Sequence, residues 1–260
     1  MIFPLGDDNR DRQSLPVVNI GLIATNVLVF VVFQGMGTNE KFTMAFAAVP
    51  AEIVTGKDIV TPDRVRPVPE RDGPRQEVIP GLQPTPIPVY LTLLTAMFMH
   101  GGLAHLAGNM WFLWIFGDNI EDDLGRWRYF VFYLLCGVLA SLAHVAVSAG
   151  GPQAEVPSLG ASGAISGVLG AYLVLHPLQR VTVLMLRVIV NVPAYVAVGI
   201  WFLFQLVSEL GMLGGTATGG GVAYAAHIGG FIAGAALAHP FLLGRRPPAR
   251  EQIDRRPNDW

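Results

Sequence analysis

Apolar residues gather into six runs set apart by polar segments: Val17 to Gln34, about Leu91 to Gly117, Tyr129 to Ala149, about Ser162 to Leu175, about Val192 to Gly211, and about Val222 to Leu243. Most approach the roughly 20 residues a helix needs to cross about 30 Å of hydrocarbon, and the fourth fits if it is tilted or partly sunk below the surface. The pattern predicts an all-α polytopic membrane protein, a six-transmembrane-helix bundle over residues 17–243 with tails at 1–16 and 244–260. Residues 35–90 form an extended external first loop, too long for a simple connector. Its stretch "NEKFTMAFAAVPAEI" predicts a short amphipathic helix in the membrane interface, and its Pro- and charge-rich second part predicts irregular chain.

Composition sharpens the membrane reading. The 260 residues are 52% hydrophobic and 14% charged, with a mean hydropathy of +0.48, where soluble domains carry roughly 25% charged residues. A net charge of -2 and the lack of any basic patch exclude nucleic acid as a partner. The one cysteine, Cys136, can form neither an intrachain disulfide nor a Cys-based metal site. The N-terminus lacks the layout of a signal peptide, so the first run is expected to be retained as a helix. Arginines precede run one and follow runs two, four and six, which gathers 11 of the 17 basic residues on one side. The remainder lie in the long first loop among acids, and the loops after runs three and five carry none. By the positive-inside rule both termini face the cytoplasm.

With this orientation runs two, four and six enter the membrane from outside, and His105, Asn109, Ser162 and His227 each fall in the first half of one of them. Polar side chains at membrane depth are costly unless they face the bundle interior and find partners. Taken singly each has a bland reading: Ser162 as a small packing residue, His227 as an interhelical hydrogen-bond partner, His105 and Asn109, four apart, as helix glue. Taken together they fit a nucleophilic hydroxyl with a base within reach. Gly163 and Gly167 on run four, and Ala226, Gly230 and Gly234 on run six, repeat at the four-residue spacing that lets helices approach closely, so that Ser162 and His227 would meet. Ser162 also stands at a helix start, where unpaired N–H groups and the helix dipole favour a developing negative charge, and His105 and Asn109 would add side-chain donors.

The segments "GASG" around Ser162, "AHIGGFIAG" around His227 and "HGGLAHLAGNMWFLWIFGDNIEDDLG" from His100 to Gly125 together resemble the rhomboid family of intramembrane serine proteases. The family's GxSG, AHxxGxxxG and HxxxxHxxxN motifs all match in order and spacing. The resemblance implies a bacterial six-helix member in a plasma membrane, with a Ser162–His227 dyad that lacks an acid. It further implies an oxyanion hole of His105, Asn109 and the Ser162 backbone N–H, and no cofactor or metal. Substrates would be single-span transmembrane proteins cut after local unwinding, because a helical carbonyl is already paired.

In places the chain departs from the family pattern. Some rhomboids carry an aromatic four residues after the nucleophile that stacks on the histidine; here Ser166 stands there, leaving Tyr172 or Tyr224 as substitutes. The Trp-Arg pair some members carry in the first loop is missing, since no Trp precedes Trp111. Glu121 is expected to tie down the cytoplasmic end of helix two, with a solvated acidic turn as the alternative. His100 is expected near the oxyanion region or in the interface, and His144, His176 and His239 at helix ends. No HExxH motif or pair of intramembrane aspartates supports another protease class. The glycines from Gly211 to the "TATGGG" run at Thr216 predict a flexible cap before helix six. Two other classes stay open at this point: a catalytically silent rhomboid-like client-binding protein, and a small transporter, which would need inverted repeats that the chain does not display.

Overall fold

The computed structural model describes residues 2–10, 12–68, 75–213 and 224–245. It opens with strand β1 (Ile2–Asp7), then helix α1 (Val17–Leu28), which ends in a wide π turn over Val29–Phe33. The first loop holds two short helices, α2 (Glu40–Phe46) and α3 (Pro50–Thr55), and a hairpin of β2 (Arg64–Val68) with β3 (Arg75–Ile79). A short helical segment, Val89–Phe98, includes α4 (Thr92–Thr95) and bends by 81° into α5 (Leu103–Leu124). After it come α6 (Arg126–Ser148), α7 (Ser162–Leu175), β4 (Arg180–Met185), β5 (Val188–Pro193), α8 (Ala194–Leu213) and α9 (Tyr224–Leu242).

All six apolar runs are helical and in the expected order. The second run is helical from its expected start but is broken by the bend at Met99–Gly102, so that its long helix begins at Leu103. By length and hydropathy, among the described residues α6 and α9 suffice to cross a membrane, and the bent pair ending in α5 makes a third. Val17–Phe33, Ser162–Leu175 and Ala194–Leu203 are shorter apolar helices. The 14 residues of α7 rise about 21 Å, less than the hydrocarbon thickness. Its first turn faces Ala140 of α6, not Ser148 at the end of that helix. It therefore starts about 10 Å below that end, at 1.5 Å per residue.

Two expectations change. The amphipathic stretch is two helices, not one: Asn39 caps α2 by accepting from the Phe42 N–H, and Pro50 starts α3 after an extended Ala47–Val49 link. The second part of the loop is not irregular, since β2 and β3 pair from Arg64↔Ile79 to Val68↔Arg75. The helical bundle also carries a three-stranded antiparallel sheet in the order β1-β4-β5. β4 and β5 fill the connection between α7 and α8, and β1 reaches back from the N-terminus to pair Ile2 with Met185 and Asp7 with Val181. Gly211, read as the start of the glycine-rich cap, is still within α8; the rest of that cap lies outside the described residues, as does most of the C-terminal tail.

The core is apolar, built around Phe30, Leu113, Phe116, Phe132 and Leu169, but it also encloses polar side chains, and aliphatic ones lie on the surface. Asn19, Asn26, Gln34, Asn109, Glu121 and His227 are buried, while Val31, Val32, Leu142, Leu203 and Ile232 are exposed. Buried polar groups that find partners and an aliphatic outer surface suit a chain whose surroundings are lipid. At the end of the bundle opposite Ser162, the acidic segment after Gly117 acts as a clamp. Glu121 accepts the Val18 and Asn19 N–H groups at 3.0 and 2.7 Å, capping α1. Asp122 holds Ser14, Asp118 pairs with Arg12 at 2.7 Å, and Asp123 pairs with His176 at 2.6 Å. Glu121 is thus a buried cap that ties α5 to α1, not a solvated turn. The α5–α6 link depends on Gly125, whose φ of +78° is a conformation that strains any residue with a side chain.

Candidate active site

The interface between α7 and α9 is built from backbone against backbone. A Cβ at Gly230 would overlap the Gly163 carbonyl, one at Gly234 the Gly167 carbonyl, and one at Gly170 the Phe231 carbonyl. Both helices therefore meet without intervening side chains along three turns, which sets two short polar side chains face to face. Ser162, the first residue of α7, and His227, the fourth of α9, share a 2.7 Å hydrogen bond between Oγ and Nε2.

The loop before Ser162 is shaped by Gly160, at a φ of +119°. Its N–H donates to the Ala96 carbonyl at 2.8 Å, and the adjacent Ser158 forms a two-way bridge with Ala48. A Cβ at Gly160 would sit 2.9 Å from His105 Nε2 and 3.7 Å from Asn109 Nδ2, so glycine is what lets this loop lie against α5. Within α5, Asn109 is buried and its Nδ2 is without a hydrogen-bond partner among the described residues. His105 Nδ1 accepts from the Gly101 N–H at 3.4 Å, which leaves Nε2–H as the donor on the side facing Gly160. His105, Asn109, Ser141, Gly160, Ser162 and His227 line one cavity of about 550 Å³. The first N–H groups of α7 have no intrahelical acceptor, and no side chain caps them. Two side-chain donors and a helix N-terminus thus line the same cavity as the hydroxyl.

The residues around His227 differ from the expectation. Tyr224 lies edge-on to it with centroids 6.2 Å apart, a neighbour of the ring but not stacked on it. Tyr172 does not: it is ten residues, or about 15 Å, down α7, where its hydroxyl donates to Asp7 at 2.7 Å and its ring meets Phe116. The second neighbour is Trp201 of α8, 6.3 Å from the His227 ring and also 6.3 Å from Phe112. Nothing in the sequence distinguishes Trp201 from a lipid-facing aromatic. Ser166 is fully buried and donates to the Ser162 carbonyl at 2.7 Å, which satisfies its hydroxyl inside its own helix. His100 is buried with its ring edge-on to His105 at 5.2 Å, on the oxyanion side and not in the interface. His144 is buried four residues before the end of α6 and shares a 3.3 Å hydrogen bond with Ser148; His176 caps α7, and His239 sits in the last turn of α9.

Comparison with known proteins identifies the family of the chain. The Rhomboid domain family model matches residues 88–244, more than half of the chain and all of the elements that line the cavity. Rhomboid protease GluP of Bacillus subtilis is 36% identical over 151 residues, which is 57% of this chain and 26% of that protein. Rhomboid protein 1, mitochondrial, of Saccharomyces cerevisiae is 32% identical over 145 residues, 55% of this chain and 40% of that protein. The mouse presenilin-associated rhomboid-like protein, mitochondrial, is 38% identical over 97 residues, 37% of this chain and 25% of that protein. The chain thus spans between about a quarter and two fifths of the length of these curated relatives. With the family model covering α5 to α9 and the motifs gathered at one cavity, the chain belongs to the rhomboid family.

Proposed function

We propose that this protein is an intramembrane serine endopeptidase that cleaves single-span membrane proteins with a Ser162–His227 dyad. The observation that carries the reading is the 2.7 Å bond between Ser162 Oγ and His227 Nε2 at the wall of a 550 Å³ cavity. A serine hydroxyl becomes nucleophilic when a base accepts its proton as the new bond forms. His227 takes the Ser162 proton on Nε2 while Oγ bonds to the scissile carbonyl carbon, and the carbonyl oxygen gains the negative charge. That charge falls where Asn109 Nδ2, His105 Nε2–H and the Ser162 N–H converge, and an unpaired buried donor such as Asn109 Nδ2 gains most from a new acceptor. As the C–N bond breaks, His227 returns its proton to the leaving amine. Water then attacks the acyl-serine with His227 again as base, restoring the hydroxyl.

The membrane domain is proposed to run over residues 17–243, with both termini in the cytoplasm of a bacterium and the cavity toward the outer half of the plasma membrane. The arginine bias supports this orientation. The six-span count is part of the same reading, with α1, α7 and α8 as the shorter spans. Gly163, Gly230 and Gly234 serve as structural support by holding the dyad's two helices together.

The test uses purified protein in liposomes with a single-span reporter. Cleavage is expected, and Ser162→Ala or His227→Ala should abolish it. Unchanged cleavage in both variants would remove the proposal, and a stable reporter complex with no product would favour a client-binding protein instead.

A further inference from the structure

Gln34 is fully buried and its side chain grips one residue from both sides. Its Oε1 accepts the His100 N–H at 3.0 Å, and its Nε2 donates to the His100 carbonyl at 2.9 Å and to Thr43 Oγ1 at 2.8 Å. Gln34 points inward because the chain ahead of it is a π turn: its own N–H reaches the Val29 carbonyl, five residues back, at 3.0 Å. One extra residue in a turn rotates the chain beyond it by about 100°. Without that rotation this amide would not face the 99–102 bend.

The peptide between His100 and Gly101 is what Gln34 holds. In a planar trans peptide the C=O and N–H point in opposite directions. Fixing the His100 carbonyl toward Gln34 therefore aims the Gly101 N–H the other way, at His105 Nδ1, 3.4 Å distant. With Nδ1 occupied as an acceptor, the His105 proton resides on Nε2, on the side of Gly160. The buried His100 ring, edge-on to His105, braces the same imidazole from its other side.

We propose that Gln34 is a positioning residue for the reaction: through the His100–Gly101 peptide it sets the tautomer and direction of His105, so that Nε2–H is presented to the oxyanion. This rests on the protease reading above, and it assigns to the end of α1 a role that the residues lining the cavity do not reveal.

Two measurements test it. The first is a double-mutant cycle in liposomes with the single-span reporter. Gln34→Met, which keeps the volume and removes all three side-chain bonds, should lower kcat by about tenfold to a hundredfold with KM unchanged, because a misdirected oxyanion donor is lost only in the transition state. In a His105→Ala background the same substitution should cause no further loss. Losses that multiply independently would overturn the proposal and reduce Gln34 to a packing residue. The second needs no variant: nitrogen NMR of ring-labelled histidine in the intact protein should find His105 as the Nε2–H tautomer. An Nδ1–H tautomer would overturn it, even if Gln34→Met fails to fold. Failure of the protease reading is separate, because it would appear as reporter cleavage indifferent to Ser162→Ala.

Discussion

Gly230 of α9 lies so near Gly163 of α7 that a Cβ on the former would overlap the carbonyl oxygen of the latter. The Ser162–His227 bond depends on that approach, since any side chain at the contact would part the helices. Gly230→Val should therefore destabilise the protein by about 1–3 kcal/mol or more through overpacking and abolish turnover together. Gly21→Ala, at an α1 glycine with open space beside it, should be neutral or stabilising by up to about 1 kcal/mol. Thermal unfolding in detergent, with turnover on the same samples, distinguishes the two.

Asn109 presents a different combination. Its Nδ2 has no hydrogen-bond partner among the described residues, so the folded protein loses no bond when it is removed. Asn109→Ala should leave the unfolding temperature unchanged or slightly raised while kcat falls by about 10²–10³. Kinetics and unfolding on one preparation check this. A lowered unfolding temperature with intact kcat would assign Asn109 to structure.

Glu121 predicts the reverse. Its carboxylate accepts two backbone N–H groups at the start of α1, at 3.0 and 2.7 Å. Glu121→Gln keeps one acceptor, sets an amide N–H against a backbone N–H and weakens the helix-dipole contact, for a cost of about 1–3 kcal/mol. Unfolding in denaturant should reveal that loss, while kcat of the folded fraction stays near the parent value.

The strand β1 supplies a pH dependence. Asp7 accepts from the Tyr172 hydroxyl and from Asn119 Nδ2, both at 2.7 Å, while its Oδ1 is buried without a partner. Burial pushes its carboxyl up from the ordinary 3.8 to about 7, against the lowering effect of the Tyr172 bond and with the nearby Asp118 and Asp8 adding to the rise. Because the docked value lies above the unfolded one, the docked strand binds the proton more tightly. The stabilisation is complete below about pH 4 and is lost as pH rises through about 7. Hydrogen exchange over residues 2–7, corrected for intrinsic rates, should reveal protection that falls between about pH 4 and 7 and levels off above that. In Asp7→Asn that fall should vanish.

The sequence and the structure agree most where local spacing carries the information. Asn109 stands one helical turn from His105, and the glycines of α7 and α9 repeat every four residues, so the helix period alone puts those groups on common faces. The features that escape a local reading depend on distant partners. Gln34 works on a residue 66 positions away through a π turn that no local pattern announces. β1 finds β4 across more than 170 residues, and "RVTVLMLRVIVNV" between two apolar runs reads as a connector until that partner is present. Trp201 reaches His227 from an apolar helix that also exposes Tyr195, Ile200 and Leu203, so an indole there carries no signature of its role. Tyr172 is a reasonable candidate by residue type, and its place three turns below the hydroxyl rules it out.

The dyad itself is tested most directly by its own reactivity. A fluorophosphonate probe reacts with a serine whose proton a neighbouring base accepts and whose phosphonyl oxygen finds donors. Mass spectrometry of the labelled membrane protein should locate the adduct on Ser162, with labelling lost in His227→Ala and strongly slowed in Asn109→Ala. A protein that stays unlabelled at Ser162 while folded, or labels equally well without His227, would contradict the account.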